Sequence, residues 1–279
     1  MSYLCKHNTK QYKDMKIAII GAGNMGSAIT RGLARSKQVQ PEDITVSNPS
    51  QGKLDALQAD IPDLTTTPSN IKAAGDADII ILAVKPWVLD DVLMELPWRD
   101  GQMLASVVAG RSIHSIVSIL SVKYERTQMP DLTYFRIVPN TAAAIGQSMT
   151  LISSMAANPK QQQLMLDLLN PLGPTMLVPE DKLPAATALA SCGTAYAMRY
   201  IQAATQAGIE LGLTPQDALQ MVTQCVMGAA ALLQDNPDTH PATEIEKVCT
   251  PGGYTIRGIN ELEHAGFASA IIRAIKASV

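Results

Sequence analysis

Aromatic residues are scarce in this chain, 4% of its 279 residues, and so are the side chains from which many active sites are assembled: four cysteines and four histidines. Cys5, Cys192, Cys225 and Cys249 are too scattered for a metal knuckle, a CxxC redox pair or a disulfide framework, and are expected to be reduced thiols of a cytoplasmic protein. His7, His114, His240 and His264 are equally dispersed, so spacing offers neither a metal site nor a Cys/His nucleophilic pair. Strong charge is missing too. A net charge of −3 with no basic stripe argues against nucleic-acid and anionic-membrane partners. The longest apolar runs, such as residues 79–84, fall far short of a membrane span. Residues 1–14 are polar, lack the apolar centre of a signal peptide, and are expected to form a flexible extension ahead of Met15. What is present is aliphatic and alanine-rich: 47% of the chain is hydrophobic, enough for a large globular core.

The apolar run Ile17-Ala18-Ile19-Ile20 feeds directly into Gly21-Ala22-Gly23-Asn24-Met25-Gly26, followed by a segment of helical character, 27–34. A strand opening onto GxGxxG has a mechanical meaning. Gly21 permits the tight turn, Gly23 lets backbone approach a pyrophosphate, and Gly26 lets the helix pack against the strand. The helix start then presents unpaired N–H groups to the phosphates. Gly21, Gly23, Asn24, Met25 and Gly26 are therefore candidate cofactor-binding residues. An NAD site places a carboxylate about 20 residues on, at the end of the second strand. Here that strand, 44–47, ends in Ser47-Asn48-Pro49-Ser50, with Lys53 beyond. Ser47 and Asn48 accept a 2′-phosphate without the repulsion of an acid, which favours NADP over NAD.

Apolar strands at 16–20, 44–47, 78–84, 103–108 and 134–138, separated by helical segments, predict a parallel, doubly wound sheet. Ala83-Val84-Lys85-Pro86 falls at a strand's carboxyl end, where such sheets bind ligands, which makes these four residues further cofactor candidates. Beyond 158 the pattern turns helical. The expected fold class is an α/β Rossmann-type N-terminal domain, 1–157, followed by a mainly α-helical dimerisation and substrate domain, 158–279. Within the latter, 183–213 is a long alanine-rich stretch closed by Gly212, and Thr214-Pro215-Gln216-Asp217 starts a new helix with a hydroxyl cap and proline at its first position. Further helices are predicted over 242–248 and 256–264. Met221, Val222, Val226, Met227, Leu232 and Leu233 give one segment more apolar surface than a small bundle hides, and association of subunits is the natural outlet. Ordinary core filling is the alternative for any one of these methionines.

Pro251-Gly252-Gly253 followed by Thr255 makes a turn whose N–H groups face along a new helix, a receptor of carboxylate size. A plain helix connector is the alternative. Together with the glycine turn, Ala83 to Pro86, Val108-Ala109-Gly110, Arg136-Ile137-Val138-Pro139-Asn140-Thr141, Thr187-Ala188-Leu189, and Gly193 with Ala195-Tyr196, these segments resemble the Δ1-pyrroline-5-carboxylate reductase family over nearly the whole chain. The resemblance implies NADPH-dependent reduction of the C=N bond of pyrroline-5-carboxylate to L-proline, in a homodimer or larger homo-oligomer. It also implies that Ala109 and Asn140 contribute to the cofactor site. Thr187, Thr250, Gly252, Gly253, Tyr254 and Thr255 would line the substrate site, the Pro-Gly-Gly turn holding the carboxylate and Thr255, the catalytic candidate, lying near the imine nitrogen. A protonated imine is already electrophilic, so such a site needs positioning more than ionising side chains or a metal.

The chain departs from the family pattern at Pro184, where an acid is usual, at Ala190, Cys192 and Thr194 in place of Ser-Gly-Ser-Gly-Pro, and at Tyr254, where the residue is usually small. These changes leave open a reductase of another small cyclic imino acid, or a reductase-like NADP-binding regulatory protein. A β-hydroxyacid dehydrogenase would share the fold but needs a Gly-xxx-Asn-xx-Lys helix, which does not occur here.

Overall fold

The structure, a computed structural model, describes residues 15–36, 38–124 and 128–279. Cys5, His7 and the extension expected over 1–14 lie outside the described residues. The chain divides into two compact units, Met1–Ser191 and Cys192–Val279.

In the first unit every residue of β1 (Ile17–Ile20) is buried, as a continuous aliphatic run requires when a parallel sheet is covered on both faces. Side-chain alternation divides the strand between two cores. Ile17 and Ile19 pack with Ile29, Leu33 and Phe135, whereas Ala18 and Ile20 pack with Leu89, Leu93 and Leu120. The other strands are β2 (Ile44–Ser47), β3 (Thr65–Thr67), β4 (Ile79–Leu82), β5 (Met103–Ser106), β6 (Thr133–Val138), β7 (Thr150–Met155) and β8 (Thr175–Leu177). Their order is β3-β2-β1-β4-β5-β6-β7-β8. Neighbours are parallel except for the antiparallel pair β6 and β7. Helices α1 (Asn24–Arg35), α2 (Gln51–Asp60), α3 (Asn70–Ala74), α4 (Leu89–Glu95), α5 (Ile113–Lys123) and α6 (Pro159–Leu169) connect them. The chain runs outward from β1 to β3 and returns to β4 on the other side of β1. Ligands of open α/β sheets bind at this switch, outside the carboxyl ends of the strands.

The five expected strands are present, and three more join them. β3 is three threonines with no apolar residue, and β8 is only three residues long, so neither carries a hydrophobic signature. β7 makes the sheet mixed, not purely parallel as expected. The domain boundary also moves. The helix expected after Asn158 is α6, whose capping box joins Asn158 to Gln161, but Met165, Leu168 and Leu169 pack into the same core as Phe135 and Ile152. Since β8 pairs with β7 as well, the first unit extends to Ser191 instead of ending at 157.

The long helix expected over 183–213 is three pieces: α7 (Leu183–Thr187), a π-helical segment Ala188–Cys192, and α8 (Gly193–Glu210). The π segment falls on residues that depart from the family pattern; local π turns often mark functional positions. Gly212 ends the second unit's first helix at φ +93°, in agreement with the sequence. α9 (Pro215–Asp235) starts on the Thr214 hydroxyl, which accepts from the Asp217 N–H at 3.2 Å. α10 (Pro241–Val248), α11 (Tyr254–His264) and α12 (Phe267–Lys276) complete the chain. α11 begins two residues earlier than the predicted 256, which places Tyr254 and Thr255 in its first turn; α12 has no counterpart among the predicted helices. Among the described residues of α8 to α12, only Ala218 is buried.

Candidate active site

The glycine turn is built by contacts that only glycine permits. Gly21 has φ +111°, and a Cβ on it would stand 2.6 Å from the Ala83 carbonyl oxygen. A Cβ on Gly26 would run into the Gly21 carbonyl, which is why α1 can lie so close to β1. A Cβ on Gly23 would meet nothing within 4 Å. That position faces open space, the room a pyrophosphate needs. Gly23 caps α1 without a side-chain bond, and no acid occupies the helix's first turn. The leading N–H groups and the positive dipole end are thus left for an anion. The structure fits a dinucleotide here.

Gly21, Gly23, Ser47, Asn48, Ala83, Val84 and Lys85 line one cavity of about 300 Å³, together with Lys53, Asn70 and Val88. Asn24 lines an adjoining cavity of about 380 Å³ with Ser27, Arg31 and Lys53. Met25 instead packs against the core, Gly26 serves the helix approach, and Pro86 opens the short helical turn Pro86–Val88 beside the cavity.

Ser47 and Asn48 sit where expected, but their side chains are already committed. Ser47 is fully buried and its hydroxyl donates to Asn70 Oδ1 at 2.7 Å. Asn48 Oδ1 accepts from the Ala22 N–H at 3.1 Å, and its Nδ2 donates to the Ser50 carbonyl at 3.3 Å. Asn48 braces the glycine turn through its side chain and Ser47 through its carbonyl, which accepts from the Gly21 N–H at 2.8 Å, while the Ser47 hydroxyl ties β2 to α3. Lys53 is exposed and is shared by the two cavities. Asn70 carries no signal in the sequence, because its helix follows the featureless β3.

Ala109 is exposed beyond the end of β5. Asn140 is 8% exposed and lines neither cavity; its Oδ1 accepts from the Ala142 N–H and its Nδ2 donates to the Ala190 carbonyl, both at 2.8 Å. It is a tie between the end of β6 and the π segment. A second tie escapes the sequence altogether. Glu180 accepts from the Ile113 N–H at 2.7 Å and pairs with Arg136 at 3.4 Å, joining α5, β6 and the approach to α7. A lone glutamate between Pro179 and Asp181 carries no pattern that spacing could detect.

Thr187 closes α7, in the first unit, and is half-buried. Thr250, Gly252, Gly253, Tyr254 and Thr255 form one turn in the second. Gly252 has φ +70°, and the Gly253 N–H is spent on the Thr250 carbonyl at 3.0 Å. A Cβ on Gly253 would lie 2.6 Å from Thr250 Oγ1. Gly253 caps α11 with no side-chain bond and no acid follows in the first turn, so the Tyr254, Thr255 and Ile256 amides are the open donors. Thr255 lines an apolar groove of about 770 Å³ with Tyr196, Tyr200 and Leu262.

A Rossmann-type nucleotide unit followed by a helical unit is the plan of a nicotinamide-dependent oxidoreductase, and residues 16–110 match the family model "NADP oxidoreductase coenzyme F420-dependent". Residues 180–279 match "Pyrroline-5-carboxylate reductase dimerisation". The chain is 36% identical to pyrroline-5-carboxylate reductase 1 of Dictyostelium discoideum, over 95% of its own length and 49% of that protein, so it spans about half of that relative. It is 35% identical to the pyrroline-5-carboxylate reductase of Synechocystis, covering 95% of this chain and 96% of that one. The solved 1-pyrroline-5-carboxylate reductase of Streptococcus pyogenes superposes with a TM-score of 0.78 at 30% identity, covering 95% of this chain and 98% of that one. The corresponding figures for the Coxiella burnetii enzyme are 0.84, 27%, 95% and 96%. The chain belongs to the pyrroline-5-carboxylate reductase family.

Proposed function

We propose that this protein reduces the C=N bond of pyrroline-5-carboxylate to give L-proline, with NADPH as reductant and at least two copies of the chain in the working assembly. The observation that carries this reading is the presence, in one family member, of a glycine turn open to a pyrophosphate and a second helix start open to a carboxylate. NADPH supplies the hydride when bound. Gly21, Gly23, Asn24 and the α1 amides hold its phosphates, Lys53 neutralises the 2′-phosphate, and Ala83 to Pro86, Ala109 and Asn140 shape the remaining edge. In the second unit the 250–255 turn holds the substrate carboxylate through backbone N–H groups, and the Thr255 hydroxyl meets the imine nitrogen. Thr187, in the first unit, is a further candidate for contact with the substrate. Because the protonated imine is electrophilic, fixing its orientation supplies most of what the protein must add. The purified protein should oxidise NADPH only when pyrroline-5-carboxylate is added, with L-proline formed in equal amount. NADPH binding without turnover would leave the regulatory reading in its place.

A further inference from the structure

Beside the open amides at the start of α11 stand two side chains, Tyr254 and Arg257, that neither the nucleotide edge nor the imine contact employs. Tyr254 is 90% exposed, a large aromatic ring left in water at the mouth of the 250–255 turn. The Arg257 guanidinium lies over it, with Cζ 5.7 Å from the ring centroid, inside the range of a cation–π contact. The same guanidinium donates from Nη2 to the Gly252 carbonyl at 3.2 Å. One long side chain is thereby pinned at both ends of the turn. Its charge is misplaced for the helix alone, since a cation in the first turn faces the positive end of the helix dipole. With no acid in that turn and no side-chain cap, an anion at the helix start meets the guanidinium as well as the open amides.

We propose that Tyr254 and Arg257 form a specificity-determining rim for the substrate carboxylate, resting on the assignment of the 250–255 turn as its receptor. Arg257 supplies the counter-charge that the backbone amides lack. Tyr254 holds the guanidinium in place and walls one side of the turn, so the site takes a small cyclic imine that bears a carboxylate and discriminates against its uncharged analogues.

The test is calorimetric binding of L-proline and of L-prolinamide, in which a neutral amide replaces the carboxylate, to the NADP+-saturated protein at a pH where the L-prolinamide amine is deprotonated, with pyrroline-5-carboxylate kinetics alongside. Arg257→Gln should narrow the proline-to-prolinamide affinity ratio about fivefold and raise KM for pyrroline-5-carboxylate by a similar factor, with a much smaller change in kcat, as expected for an exposed ion pair. Arg257→Lys, which keeps the charge, should recover part of the ratio. Tyr254→Ala should weaken it less than Arg257→Gln, and the double variant should be no worse than Arg257→Gln, because the two side chains act as one unit. An unchanged ratio in Arg257→Gln overturns the rim. Gly253→Val separates this from failure of the underlying assignment: if proline binding survives Gly253→Val, the turn is not the carboxylate receptor; if it is lost there but indifferent to Arg257, only the rim falls.

Discussion

The two units of this chain solve the burial problem differently. In the first, strands β1 and β4 are buried at every position and both faces of the sheet carry a closed core. In the second, five helices bury no large side chain among the described residues: Met221, Met227, Leu232 and Ile272 are each 58% exposed. An apolar surface of that kind on a helical unit marks an association site. The first unit therefore holds its nucleotide edge by internal packing, whereas the second carries the 250–255 turn on helices whose apolar faces are exposed, as a dimerisation domain requires.

The largest expected effect breaks the second half of this comparison. Met227→Asp combined with Leu232→Asp should weaken subunit association by roughly a hundredfold or more, since a carboxylate buried without a partner is costly. Activity should fall with assembly while NADPH titration stays near normal; sedimentation and fluorescence titration on the same sample check both. Gly26→Val is the mirror experiment. It should push α1 away from β1 and abolish NADPH binding while the oligomer persists.

Within the assembled protein the turn at 250–255 comes next. Thr255→Ala removes a hydrogen bond to a charged group, worth roughly 1.5–3 kcal/mol, so kcat/KM for pyrroline-5-carboxylate should drop on the order of ten- to a hundredfold with little change in NADPH affinity. Gly253→Val should do more damage, because its Cβ would press on Thr250. Retention of full activity by Thr255→Ala would return that residue to a structural role.

A smaller effect sharpens the first half. Lys53→Gln should lower NADPH affinity about threefold to tenfold, the range expected of one exposed ion pair with a doubly charged phosphate, and leave NADH binding unchanged. Parallel titrations of both cofactors decide it.

The smallest effect concerns stability. Tyr134, in β6, has its hydroxyl buried without a partner, and burial, aided by the charge of Asp131, pushes its phenol up to about 12. A raised folded-state value means that this group's contribution is intact below about 10, the unfolded value, and is lost as pH rises through 12. Tyr134→Phe should flatten that alkaline loss in thermal melts and be neutral or mildly stabilising at neutral pH.

What the residues disclose in advance tracks the same division. The nucleotide edge is legible because GxGxxG after an aliphatic strand is a local pattern with a backbone cause, and Gly21, Gly23 and Gly26 occupy the places their geometry requires. The Thr214 cap and the Gly212 stop are legible for the same reason. Two of the three extra strands are not, because three threonines in β3 and three residues in β8 offer no periodicity to detect. A boundary at 157 fails because α6 looks like any amphipathic helix until the sheet it packs against is known. Ser47 and Asn48 stand where the sequence puts them, lining the nucleotide cavity, but their side-chain bonds to Asn70 and Ala22 are not legible because those partners lie 23 and 26 residues away. Glu180 and Asn70 act through partners 67 and 23 residues distant, respectively, which no motif reports.

The comparison between the units is tested most directly by light scattering on the unmodified protein at low concentration, with NADPH-dependent pyrroline-5-carboxylate reduction measured on the same fractions. A dimer or larger species is expected, with activity confined to it. A monodisperse monomer that carries full activity would contradict a working assembly of at least two copies.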